Sequence, residues 1–159
     1  MKKLPLRWTA VSLLFFTLTC LHAQNWWSDA HERQASPFET QRLIQPDAYR
    51  LLDIDLEQLI DLLEQAPLRH TPAAQTNPLE MTFPLPDGSS RTFRLVEAPV
   101  MSPALAAKYP GMRSFAGSCR EDGTAYLRFG YTHKGLHAVI FSGKHPTVYI
   151  DAYAPGQNR

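Results

Sequence analysis

Thr124–Tyr153 reads TAYLRFGYTHKGLHAVIFSGKHPTVYIDAY, and this stretch decides the fold. Ala125, Leu127, Phe129 and Tyr131 alternate with other residues, the period of a half-buried strand. Thr132-His133-Lys134-Gly135 is a turn signal, Leu136–Ser142 is a second strand, and Ser142-Gly143-Lys144-His145-Pro146 is a second turn. Thr147–Tyr153 makes a third strand. Three consecutive strands with short turns are a β-meander, so the sheet is antiparallel.

The same period extends upstream. Leu79, Met81, Phe83 and Leu85 alternate with Glu80, Thr82 and Pro84. Pro86-Asp87-Gly88-Ser89 is a turn, because proline presets one dihedral and glycine accepts a positive one. Thr92–Glu97 returns with Phe93 and Leu95 on one face. Pro84 indicates that the first of these strands lies at an edge or ends there. Ser102 and Pro103 fit the cap and first position of a short helix that Pro110-Gly111 ends, and Met112–Ala116 is a further strand. Asp53–Ala66 carries Leu56, Leu59, Ile60 and Leu63 at helical spacing and stops at Pro67, which predicts one long amphipathic helix. Arg69–Pro78 reads as a linker. The expected fold class is α+β: an antiparallel meander of about five strands, one long N-terminal helix on a face and a short crossover helix.

The N-terminus has the layout of a signal peptide. Lys2, Lys3 and Arg7 precede the apolar run Val11–Leu18, and Ala23 offers a cleavage point. Cys20 closes that run, but Leu18-Thr19 before it is a poor lipobox, so a lipid anchor is not expected. Export places the protein in a periplasmic or extracellular space. The formal charge is +1, and loss of the three basic residues in 1–23 takes it to −2. No basic field remains for nucleic acid or an acidic membrane surface, and no second apolar run reaches transmembrane length. The expected organisation is signal peptide 1–23, a flexible arm 24–49 beginning with Trp26-Trp27, a domain over 50–153, and a tail 154–159 resembling the start of a linker. The tryptophan pair is read as an anchor onto the domain's own surface, since exposed indoles are costly. Without residues 1–23 the sole thiol is Cys119, so no internal disulfide forms and packing must supply stability.

Side chains suited to catalysis do not converge. His133 and His137 are four apart, but Lys134 replaces the glutamate of a zinc-protease helix and Gly135 belongs to a turn. His70 and His145 sit in proline-flanked loops. Asp53, Asp55 and Glu57 read as a helix start, and Glu121-Asp122 as a polar turn. Nucleophile-elbow, dinucleotide and P-loop patterns are absent. Cys119, placed in a polar loop beside Arg120, is the residue that bears a second reading, as a thiolate able to plug the open position of a catalytic zinc.

Several pieces, in order, resemble the N-terminal propeptide region of secreted bacterial zinc metallopeptidases of the reprolysin-like, metzincin type. These are the helix end Leu63–Pro67, the turn Pro84-Leu85-Pro86-Asp87-Gly88, and a box from Val100 and Met101 through Pro103 and Lys108 to Tyr109-Pro110. Gly117, Tyr126–Ile140 and Val148–Asp151 complete the set. The resemblance implies a non-catalytic domain that assists folding of a metallopeptidase catalytic domain or covers its cleft, in cis or in trans. Zinc would belong to that partner alone, and no cofactor is expected here. The catalytic three-histidine helix of such precursors is not in this sequence, and Cys119 stands where they carry glycine or small polar residues. The alternative is an exported or envelope-associated β-rich binding domain, for which Tyr126, Tyr131, Phe141, Tyr149 and Tyr153 would form an aromatic patch if gathered on one exposed face. Cross-strand packing predicts instead that they divide between two faces.

Overall fold

A computed structural model describes residues 26–31 and 46–153. The expected signal peptide and tail, and most of the expected arm, lie outside them. The architecture is mostly β. Strands β3 (Leu79–Pro84), β4 (Ser90–Glu97), β5 (Arg113–Cys119), β6 (Tyr126–Thr132), β7 (Gly135–Phe141) and β8 (Val148–Asp151) form one antiparallel sheet in chain order. A second sheet pairs β1 (Trp27–Asp29) with β2 (Leu52–Ile54). The helices are short: α1 (Leu56–Leu63), α2 (Pro72–Thr76) and α3 (Pro103–Lys108).

This corrects the α+β expectation. Among the described residues no long N-terminal helix forms. The stripe is correctly placed, and Leu59 and Leu63 are completely buried, but α1 has only 8 residues. Its start is set by Asp55, whose Oδ1 accepts from Gln58 N at 3.1 Å. The residues before it extend because β1 offers them a partner: Trp27 pairs with Ile54, and Asp55 N donates to Trp26 O at 3.2 Å. A sequence window cannot see a strand donated from more than twenty residues away. After Leu63 the chain tightens: Gln65 N and Ala66 N bond to Leu62 O and Leu63 O, and Pro67 follows. The linker expected at Arg69–Pro78 contains α2, capped by Thr71 Oγ1 on Ala74 N at 3.3 Å.

The sheet curls around its core. Phe83 on β3 and Phe129 on β6 are three strands apart, about 14 Å in a flat sheet, yet their ring centroids lie 5.2 Å apart. Phe83 also meets Trp27 at 5.9 Å and Phe93 at 5.8 Å. Phe115, Leu127, Tyr131, Leu136 and Ile140 continue this concave face, and Leu59 and Leu63 of α1 join the same cluster. Gly117 explains itself here: a Cβ would stand 2.5 Å from Leu95 Cδ2, so only glycine leaves room for that buried leucine.

One end of the sheet is tied by a polar clasp. Asp122 is 2% exposed and accepts from Thr124 N (3.0 Å), Thr124 Oγ1 (2.7 Å) and Ser142 Oγ (2.9 Å). Arg91 Nη1 and Lys144 Nζ each approach it at 3.5 Å. The β5–β6 loop, the β7–β8 loop and the start of β4 are thereby joined, which holds the chain entering β8 in place.

Candidate functional site

The two edges of the curled sheet behave differently. On β3, Trp27 Nε1 donates to Thr82 O at 3.3 Å, its indole is 8% exposed, and the strand ends in Pro84. That edge is covered, and the reading of the tryptophans as an anchor holds for Trp27. On β8, among the described residues, the ladder runs to β7 alone. The strand reads Val-Tyr-Ile-Asp, with neither lysine nor proline to discourage pairing.

A groove of about 720 Å³ lies along β8. Thr147–Tyr153 forms one wall, Pro46 and Ala48–Leu52 another, and Pro84, Leu85 and Pro86 close one end, with Trp27 among the lining residues. Its charges are already satisfied within the protein. Arg50 donates to Asp29 through Nε (2.7 Å) and Nη2 (3.0 Å), and to Leu85 O through Nη1 (3.0 Å). The Arg50 hydrogen bonds hold the Asp29 carboxyl below its ordinary range. Asp151 stands 2.9 Å from His137 Nδ1.

An aromatic face adjoins the groove. Tyr126 pairs directly with Phe141, and Val139 with Tyr149, so Tyr149 lies diagonally across from Phe141 on the convex face. Tyr126, Phe141 and Tyr149 are 40%, 48% and 70% exposed. The expectation that the aromatics divide between faces is met by Tyr131, which is buried on the core face against Phe115. Tyr126, Phe141 and Tyr149 gather, with Tyr149 belonging to both patch and groove, while Tyr153 is half-buried in the groove lining. Their shared face follows from the pairing register, which sequence alternation alone does not supply.

The residues singled out from the sequence are not brought into one site. Pro84, Leu85 and Pro86 line the groove. Asp87 and Gly88 build the adjoining turn, with Gly88 at φ +87° and Asp87 Oδ1 accepting from Ser89 N at 2.9 Å. Val100 is 72% exposed; Pro103–Lys108 is α3, and Lys108 Nζ lies 5.7 Å from the ring centroid of Tyr109. Met101 and Pro110 flank that helix. Ser102 takes the cap position but makes no side-chain capping bond. None of these lines the groove.

Cys119 is not in a loop. It ends β5, is 6% exposed, and its Sγ donates to Glu121 Oε2 at 3.2 Å. That contact, above all, holds the Glu121 carboxyl below its ordinary range. Arg120 turns away to Glu80 Oε2 at 3.0 Å. Among the described residues no group of three or more His, Cys, Asp or Glu side chains is arranged to hold a metal ion, and no helix is long and apolar enough to cross a membrane. No family model, curated protein or solved structure matches this chain.

Proposed function

We propose that this is an exported, non-catalytic binding domain whose binding surface is the aromatic face of β6–β8 and the groove that Tyr149 shares with it. One observation carries the reading: three large aromatic side chains stand exposed on one face, beside an apolar groove at a sheet edge that no other strand pairs among the described residues. Isolated exposed aromatics need no explanation, but a gathered set beside a concavity is the usual composition of a recognition surface.

The test is a ligand screen with a folded control. The purified protein and a Phe141→Ser/Tyr149→Ser variant are immobilised and probed with a displayed library of uncharged hexapeptides and with a panel of polysaccharides. Retention by the native protein that the variant loses, at an unchanged Tm, is the expected result. If no probe distinguishes the two, the proposal fails.

A second reading is the propeptide-like role, with a metallopeptidase catalytic domain as partner. The position of Pro84-Leu85-Pro86, part of the motif set, in the groove wall favours it. In this reading the domain acts by steric cover, because the Cys119 sulfur is buried and engaged with Glu121. Titration against a reprolysin-like catalytic domain should then give equal inhibition by native protein and by Cys119→Ser. Absence of inhibition by both removes this reading.

A further inference from the structure

The chemistry of β8 narrows the class of ligand. In an antiparallel ladder alternate residues turn their N–H and C=O groups away from the neighbouring strand. With β7 on one side, two of the four residues of β8 present donors and acceptors toward the groove. They recur every two residues, about 6.8 Å apart. A saccharide or an acyl chain lacks that repeat, whereas an extended polypeptide supplies it. The lining then restricts the side chains. Arg50 is spent on Asp29 and Leu85, and Asp151 is engaged by His137, so among the described residues the groove offers apolar surface and no charged side chain left without a partner. Val148, Ile150, Leu52 and Trp27 form its deep side and Tyr149 its rim.

We infer that the groove captures an extended, uncharged stretch of another polypeptide as an added strand along the outer edge of β8, an inference that rests on the binding-domain reading. The contrast between the edges supports it. Trp27 covers β3 and proline ends it, whereas β8 carries neither device although it borders an apolar groove of about 720 Å³. Main-chain bonds would supply affinity, and side chains alternating into the groove and over Tyr149 would supply selectivity. The four residues of β8 match a segment of about four to six residues.

The experiment uses the full chain and hexapeptides selected from the uncharged library. Each is resynthesised with single N-methylated amides along its length. Edge pairing predicts a period-two pattern: methylation at alternate amides weakens binding roughly tenfold or more, and methylation between them has little effect. Tyr149→Lys, at a position 70% exposed, should leave Tm unchanged and abolish capture by placing a charge on the edge. Hexapeptide binding indifferent to backbone methylation overturns edge pairing. So does patch-dependent retention of polysaccharides alone, which leaves the binding-domain reading standing. Self-association in sedimentation that Tyr149→Lys removes also overturns it, since the occupant would be a second copy. If nothing binds through the patch, both fall.

Discussion

Ser142 Oγ donates to the Asp122 carboxylate at 2.9 Å, joining two loops twenty residues apart in sequence. Hydrogen bonds from Thr124 first, with those from Ser142 and the charge of Lys144 behind them, hold the Asp122 carboxyl far below its ordinary value of 3.8, against the opposing effect of burial. A carboxylate depressed in the folded state contributes stability that is whole above its unfolded pKa. That contribution is lost as pH falls from about 3.8 toward the folded value. Asp122→Asn should therefore lower Tm at pH 7, and its deficit relative to the native protein should shrink below pH 3.8. Thermal melts of both proteins from pH 7 to pH 2 check this. A pH-independent difference would show that shape, not charge, makes the clasp.

Phe83 is the hub of the core. It touches Trp27 from β1, Phe93 from the next strand and Phe129 from across the curl. Phe83→Ala should cost about 3–5 kcal/mol in urea unfolding. A loss under about 1 kcal/mol would mean that the curled closure carries little of the stability.

Two glycines test close packing in different ways. At Gly130 an added Cβ meets Arg113 O at 2.8 Å, a backbone atom fixed in the ladder. At Gly117 it meets the end of the Leu95 side chain. Both alanine variants should lose about 1–3 kcal/mol. Leu95→Val should recover part of the loss for Gly117→Ala and none for Gly130→Ala, as a double-mutant cycle would show.

Cys119 should resist modification in the folded protein. In a Cys20→Ser background, a colorimetric thiol reagent should label no cysteine of the native chain within minutes and one after denaturation, since the sulfur lies inside the end of β5. Rapid native labelling would reopen the latency-ligand role that the geometry disfavours.

The meander was legible because strand alternation is a local signal. Leu127, Phe129 and Tyr131 face the core as their spacing indicates, and Pro84 lies on an edge strand as a missing donor requires. The Pro86–Ser89 turn was equally legible from the needs of Gly88. The length of α1 was not. Leu52 and Ile54 fit a helix or a strand, and the choice fell to β1, a partner no local window contains. The placement of Cys119 failed for a similar reason: Ser118-Cys119-Arg120 looks polar, but the register Phe93↔Cys119 carries the sulfur into the core. The residues of the resemblance likewise scatter, because order along a chain does not set proximity in space.

By itself, the sequence determined local conformations: which residues alternate and where the turns fall. Those follow from sterics and hydrogen bonding within a few residues. The tertiary structure alone decided the curl, the β1–β2 pairing, the gathering of Tyr126, Phe141 and Tyr149, and the groove beside β8. Each depends on strand register and on how the sheet closes over Phe83, which are set by the packing of residues far apart in the chain.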